Sequence, residues 1–325
     1  MWSFGIKLAR LFDRLRIAAH SKACHKIAMS ISSKHMPMRS LLSVPAINQR
    51  ALDKVHGLDC DGVIFDLEDS VSPEKKPEAR DNLRRVFKEM PLAGRKTVIR
   101  INGRDTEFRG EDLELVLELQ PDAVLLPKVE GPEEIREMAS LLGKAPDGLR
   151  LWAMIEASAG VLNAGTIAAA GREAEGRLDC FVLGLNDLRR ETGVLPQPGR
   201  TYLVPWIMQV VLAARAHGLD VIDSVFNDFR DADGFADECA QGRAMGFDGK
   251  MLIHPGQIEA ANRAFGPSDE EVAEADAIIA AFAEPAARDL NVINMNGKMV
   301  ERLHLEQAQR LVTKARHMSE RKTKA

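Results

Sequence analysis

No apolar run in this 325-residue sequence approaches the ~18 uninterrupted residues that a membrane-spanning helix needs, so no membrane partner is expected. The four cysteines, Cys24, Cys60, Cys180 and Cys239, stand singly with no CxxC pair. That argues against a disulfide framework or a thiolate zinc centre and fits a reducing compartment. A net charge of −4 gives nucleic acid no general electrostatic reason to bind. No internal repeat at a fixed short period and no low-complexity tract is present. What remains is an ordinary globular balance, 45% apolar and 28% charged, which argues against a disordered or fibrous chain.

The charge is unevenly placed. Residues 1–39 carry eight Lys or Arg against the single acid Asp13, leaving 36 bases and 47 acids for residues 40–325. The first twenty residues put Trp2, Ile6, Leu8, Leu11, Phe12, Leu15 and Ile17 near helical spacing with basic residues between them. Residues 1–38 therefore read as a basic leader. Three origins fit it: an organelle presequence, an unstructured leader, or a start codon placed upstream of Met29, Met36 or Met38. A cytoplasmic location is the expectation, with the mitochondrial matrix as the alternative if the leader is a presequence.

From Arg39 onward, short β-rich apolar runs alternate with helical stretches. Strands are expected over 40–44, 62–66, 97–101, 123–126, 151–155, 180–183, 220–222 and 250–253. These runs are continuous rather than alternating, as in strands buried on both faces. Helices are expected over 48–55, 74–87, 111–119, 132–142, 205–217 and 232–245, with Ser72 as N-cap and Pro73 at the first position of the second. Eight such units in about 225 residues match a (β/α)8 TIM barrel over 39–284. A doubly wound sheet would want a Gly-rich turn after its first strand, where this chain has Pro45-Ala46-Ile47. After a helix over 269–283, residues 285–325 form a C-terminal helical extension: a possible hairpin over 292–300, then a helix over 303–317 and a charged, frayed end from Ser319. The extension has too few apolar residues for a core of its own and is expected to pack on the barrel or on a neighbouring subunit.

In such a barrel the active site lies at the C-terminal ends of the strands. The residues there are strongly acidic: Asp66, Glu68 and Asp69, then Glu130, Glu156, Asp187 and Asp223, with Arg100, Asn102, Lys128, Asn186, Asn227 and His254 among them. Converging carboxylates repel one another unless a cation joins them. Oxygen ligands with few histidines point to Mg²⁺ or Mn²⁺ rather than zinc. The competing reading is that some of these acids cap helices or pair with Arg100 and Lys128.

The motifs are more specific. RSLLSVP from Arg39, DLEDSV from Asp66, RIN from Arg100, LPKVE from Leu126, MIE from Met154, GLNDL from Gly184, GKMLIHP from Gly249 and GKMV from Gly297 follow one another in this order. Over about residues 39–315 the chain resembles the citrate lyase β-subunit-like family within the HpcH/HpaI aldolase superfamily. The resemblance implies a (β/α)8 barrel, bound Mg²⁺ and retro-Claisen cleavage of a β-hydroxyacyl thioester. It implies Glu156 and Asp187 as metal ligands and Arg100 as the bidentate holder of the keto-acid carboxylate. Glu68 and Asp69 are placed around the metal or its waters. Glu301, after GKMV, stands where many relatives carry an aspartate donated by a neighbouring subunit to protonate the enolate. Arg39, Lys75, Lys76 and Arg80 are candidates for the CoA phosphates, although Lys75 and Lys76 equally suit a solvated helix face. His254 reads as structural.

The implied reaction is cleavage of citramalyl-CoA or malyl-CoA to acetyl-CoA and a 2-keto acid, with citramalyl-CoA ranked slightly ahead. One methyl is worth only ~1–3 kcal/mol in an apolar pocket, so the ranking is close. The length, with no carrier or transferase domain attached, favours a soluble CoA thioester over a carrier-bound citryl group. A citrate lyase β subunit within a complex and a malyl-CoA thioesterase are the alternatives. A homo-oligomer, trimer or hexamer, with the extension swapped onto a neighbour is the expected assembly.

Overall fold

The computed structural model describes residues 36–324 apart from 147 and 289, so all but the end of the basic leader lies outside the described residues. Eight strands, β1 Ser40–Pro45, β2 Gly62–Asp66, β3 Lys96–Arg100, β4 Ala123–Leu126, β5 Arg150–Ile155, β6 Leu178–Leu183, β7 Asp220–Asp223 and β8 Gly249–Leu252, pair in chain order. All pairs are parallel, and β1 closes on β8. This is the (β/α)8 barrel read from the sequence.

The expected helices are present as α1 Gln49–Lys54, α2 Lys76–Glu89, α3 Arg109–Leu119, α4 Pro132–Leu141, α8 Val204–Ala216 and α9 Ala232–Met245. Four more, α5 Ser158–Leu162, α6 Ala164–Ala170, α7 Leu185–Thr192 and α10 Ile258–Phe265, are five to eight residues long. Segments that short hold too few turns for a clear apolar period, and of the helices this short only the six-residue α1 was expected. The start of α2 also differs from expectation. A 3₁₀ turn, Pro73–Lys75, precedes it, and the Ser72 side chain makes no capping bond.

Because successive strand residues point to opposite faces, each strand serves two cores. One phase, with Leu41, Ile64, Val98, Leu125, Met154, Val182 and Met251, fills the barrel interior. The other, with Val63, Phe65, Ile99, Val124, Phe181 and Val221, packs under the helices. Asp223 and Lys250 follow the second phase. Asp223 succeeds the inward Ile222 and so faces the helix layer, not the mouth where the sequence reading set it. There Lys250 Nζ lies 2.9 Å from Asp223 Oδ2 and 2.7 Å from Glu238 Oε1 of α9. Arg200 Nη1 meets Asp223 Oδ1 at 2.6 Å. Burial alone raises a carboxylate's pKa, but Lys250 and Arg200 hold Asp223 below its ordinary value.

Residues Glu270–Met318 form a separate compact unit. Its helices α11 Asp269–Ala283 and α12 Arg302–Lys324 pack through Ala275, Ile278 and Ile279 against Ala308, Leu311 and Val312. The apolar stripe expected to dock on the barrel or a neighbour therefore has α11 as a partner. Helix α12 continues to Lys324 where fraying was expected from Ser319. Between the helices, β9 Val292–Met295 and β10 Lys298–Glu301 form an antiparallel hairpin. Its Asn296-Gly297 turn has φ of 53° and 80°, the left-handed values a two-residue hairpin turn demands.

The buried ion cluster yields a stability prediction. Lys250→Met leaves Asp223 and Glu238 with Arg200 as the counter-charge, and unfolding in urea should show a loss of about 3–5 kcal/mol. An unchanged midpoint would contradict this account of the cluster.

Candidate active site

The mouth is built by extending the inward phase one step past the apolar core. Two residues beyond Ile64 stands Asp66, beyond Val98 stands Arg100, and beyond Met154 stands Glu156. The β2–β3 register sets Asp66 directly opposite Arg100. The pair closes as a fork, Nε to Oδ1 at 2.7 Å and Nη2 to Oδ2 at 2.6 Å. Burial works to raise the Asp66 pKa, yet Arg100 pulls it below the ordinary carboxylate value. Arg100 was expected to hold a substrate carboxylate bidentately, but Asp66 takes the Nε–Nη2 side of its fork. Its Nη1 faces Glu68 Oε2 at 3.1 Å and the Met154 sulfur at 3.7 Å.

Glu68 is buried between two cations, with Oε1 in contact with Lys128 Nζ and Oε2 near Arg100. Its Oε2 has no hydrogen-bond partner. Burial raises its pKa against the pull of Arg100 and Lys128. Asp69 is exposed, 3.5 Å from Lys128 Nζ. The loop carrying both acids is fastened from behind by buried Lys76, whose Nζ donates to the carbonyls of Leu67 and Glu68 at 2.7 and 2.8 Å and to Asn102 Oδ1 at 2.7 Å.

Glu156 is the site's acid whose charge is most strongly opposed. Only 2% exposed, it is pushed up to about 8 by burial and by the negative charges of Glu68 and Asp187, against the attraction of Arg100. Its Oε1 accepts the Lys128 backbone N–H at 2.9 Å. It fits because Gly184, at the end of β6, has no side chain: a Cβ there would lie 2.4 Å from Glu156 Oε2 and 2.5 Å from its Cβ. Asp187 sits in the first turn of α7, partly exposed, with Oδ1 accepting from Arg190 at 2.6 Å.

The inner mouth thus carries Asp66, Glu68, Asp69, Glu156 and Asp187 against Arg100 and Lys128, with Lys76 behind the loop and Arg190 paired to Asp187. Among the described residues no group of three or more His, Cys, Asp or Glu is gathered as a metal cage. Glu156 and Asp187, two carboxylates close enough to raise one's pKa through the other's charge, suit a hard divalent cation that keeps positions for water and substrate.

Other expected residues lie elsewhere. Arg39 precedes β1 at the opposite, N-terminal end of the barrel. It is buried, with Nε and Nη2 on Asp61 at 2.8 Å each, so its guanidinium belongs to a structural pair rather than to the mouth. Arg80 is likewise buried on Asp112 at 2.8 Å, and Lys75 is exposed beside Glu78. Neither Arg80 nor Lys76 is a free cation for CoA phosphates. Asn186 and Asn227 exchange amide hydrogen bonds of 3.1 and 2.8 Å, joining the first turn of α7 to the loop after β7. His254 caps the turn Pro255–Gln257 through Nδ1, 3.1 Å from the Gly256 N–H, and stacks on Phe229, in keeping with a structural role. Glu301 ends β10 in the C-terminal unit, its N–H donating to His304 Nδ1 at 2.9 Å. Asp66 and Gly184, both inside the quoted motifs, carry more of the geometry than their sequence reading suggested.

A parallel barrel whose mouth is lined by buried carboxylates and an arginine defines a class of acid-lined (β/α)8 enzymes. The chain belongs to the HpcH/HpaI aldolase/citrate lyase family, whose model matches residues 39–255. It is 44% identical over 279 residues to a (3S)-malyl-CoA thioesterase of Cereibacter sphaeroides (strain KD131), covering 86% of this chain and 95% of that one. It is 31% identical to the mitochondrial citramalyl-CoA lyase of Rattus norvegicus over 98% of both. Among solved structures it resembles the protein CitE of Mycobacterium tuberculosis in complex with magnesium, acetoacetate and coenzyme A. That likeness has a TM-score of 0.69 at 29% identity and covers 86% of this chain and 97% of that one. Among the described residues, no helix is long and apolar enough to cross a membrane.

The close approach at Gly184 can be tested directly. Gly184→Ala should displace the Glu156 carboxylate and cost about 1–3 kcal/mol in stability, read from unfolding curves and a crystal structure. An unmoved Glu156 would refute the steric account.

Proposed function

We propose that the chain is a divalent-metal-dependent carbon–carbon lyase. Its substrate is a β-hydroxyacyl-CoA thioester ending in a carboxylate, malyl-CoA or citramalyl-CoA, and its products are acetyl-CoA and a 2-keto acid. The observation that carries this reading is Glu156, buried among the charges of Glu68, Arg100 and Asp187. Glu156 and Asp187 would hold Mg²⁺, with Mn²⁺ as a substitute. When bound, the cation supplies Lewis-acid polarisation of the substrate's hydroxyl and forming keto oxygen.

The chain's own groups supply the rest. Arg100, braced by Asp66, offers its Nη1 side to the substrate carboxylate. Glu68 Oε2, buried and without a hydrogen bond, is the acceptor for the hydroxyl proton. As that proton leaves, the C–C bond breaks, the hydroxyl carbon becomes the keto group, and the bonding pair passes to the thioester as an enolate. Glu301 of a neighbouring subunit would return a proton to the enolate carbon, in a homo-oligomer whose sites are shared.

A second reading has specific support. The (3S)-malyl-CoA thioesterase is more similar, at 44% identity, than the citramalyl-CoA lyase at 31%. This moves malyl-CoA ahead of citramalyl-CoA and keeps hydrolysis as the alternative outcome. Products separate the cases: a lyase gives keto acid and acetyl-CoA, a thioesterase gives hydroxy diacid and free CoA. Inactivity on both thioesters, with activity restored by partner subunits, would point to a citrate lyase β subunit.

Two further outcomes are expected. Glu156→Gln and Asp187→Asn should each lower turnover more than about 100-fold while leaving the far-ultraviolet spectrum unchanged, and excess chelator should do the same to the parent. Full activity in chelator would sink the metal assignment. Mixing inactive Glu156→Ala with inactive Glu301→Ala should restore part of the activity if sites are shared; no recovery after verified subunit exchange counts against sharing.

A further inference from the structure

The loop after β4 contains one residue whose backbone and side chain reach different acids. Lys128 has a φ of 52°, in the left-handed region that residues with a Cβ enter at a cost. In that conformation its N–H donates to Glu156 Oε1 at 2.9 Å, and the Val129 N–H rejoins β5 through the Met154 carbonyl at 3.2 Å. The side chain reaches the other flank of the mouth, where Nζ contacts Glu68 Oε1 and lies 3.5 Å from Asp69 Oδ1. Glu68 meets Arg100 only as an ion pair through Oε2, an atom with no hydrogen bond. Its directional tie is therefore to Lys128. The lysine side chain is 40% exposed, so shortening or neutralising it opens no cavity in the core.

We infer that Lys128 is a positioning residue with two separable holds, its amide fixing Glu156 and its ammonium fixing Glu68. One residue then sets the spacing between the carboxylate assigned to the metal and the carboxylate assigned to the substrate proton. In its effect on rate the inference rests on the lyase reading above; in its effect on geometry it does not. Because the two holds use different atoms, they respond to different substitutions. A neutral side chain keeps the N–H on Glu156 and releases Glu68. A glycine keeps the N–H and accepts the left-handed backbone without a Cβ.

The test compares the full chain with Lys128→Met, Lys128→Gly and Lys128→Arg in three measurements: crystal structure, Mn²⁺ affinity by calorimetry, and thioester turnover. In Lys128→Met the Glu68 carboxylate should leave its place while Glu156 stays and the Mn²⁺ Kd changes by less than about twofold. Turnover should fall about ten- to a hundredfold in kcat, with little change in KM. Lys128→Gly should show the same kcat loss, tracing it to the ammonium rather than to the backbone. Lys128→Arg should recover kcat to within about threefold. An unmoved Glu68 in Lys128→Met, or a Mn²⁺ affinity that collapses in it, overturns the inference. So does a parent-like kcat in an active enzyme. If the parent cleaves neither thioester, the lyase reading falls, and the crystal structure and Mn²⁺ affinity still decide the role of Lys128.

Discussion

Glu156 is a carboxylate almost wholly removed from water with other carboxylates for neighbours, and the rest of the mouth is arranged around that difficulty. Burial and like charge both favour its neutral form. Arg100 and one backbone amide oppose them, but Arg100 is already engaged by Asp66. The protein therefore leaves Glu156 with a surplus of like charge around it, from Glu68 and Asp187. Such a surplus is costly in a structural core, where buried charges occur paired, as Asp223 is with Lys250 and Arg200. At a barrel mouth it is a reason to place function there.

Much of this was legible in the sequence, for physical reasons that also mark where legibility stops. Strands buried on both faces write continuous apolar runs, and eight of them at regular spacing leave few architectures open. The order of the motifs then locates the acids at strand ends. Side-chain phase was harder to read, because a continuous apolar run conceals which residues face inward. Asp223 and Glu156 both follow apolar strands, yet one enters the helix layer and the other the mouth, a difference of one residue in register. Arg39 was misplaced for a related reason. It opens a motif whose end lies at the mouth, but it stands at the beginning of β1, a strand length away, where Asp61 is its partner.

The C-terminal unit shows a different limit. Its final helix carries an apolar stripe that demands a partner, and amphipathic spacing says only that something covers it. In the structure α11 does so through small and branched residues, Ala275, Ile278 and Ile279. A sequence reading that joined α11 to the barrel left the last helix without a companion and so looked further afield for one. The unit is small, with Ala275, Phe282, Ala287, Val300, Ala308, Val312 and Met318 as its buried apolar residues, and Met299 and Leu303 remain exposed. A unit of that size has little to stabilise it alone.

The two sides of the mouth are also held by different kinds of constraint. Asp66 and Arg100 meet because strand register brings them opposite each other, and their fork follows from charge. Glu156 keeps its place through features that carry no charge: a missing Cβ at Gly184 and a left-handed backbone at Lys128 that turns an N–H inward. A reading of charges finds the first kind and passes over the second. Since a shift of about 1 Å in a reacting group can cost a hundredfold in rate, backbone features of this kind can matter as much as the acids they position. The choice among closely related thioesters, which differ by as little as one methyl, then need not lie in the charged residues at all. It can lie in the apolar wall and in the spacing that Gly184 and Lys128 impose on the carboxylates facing it.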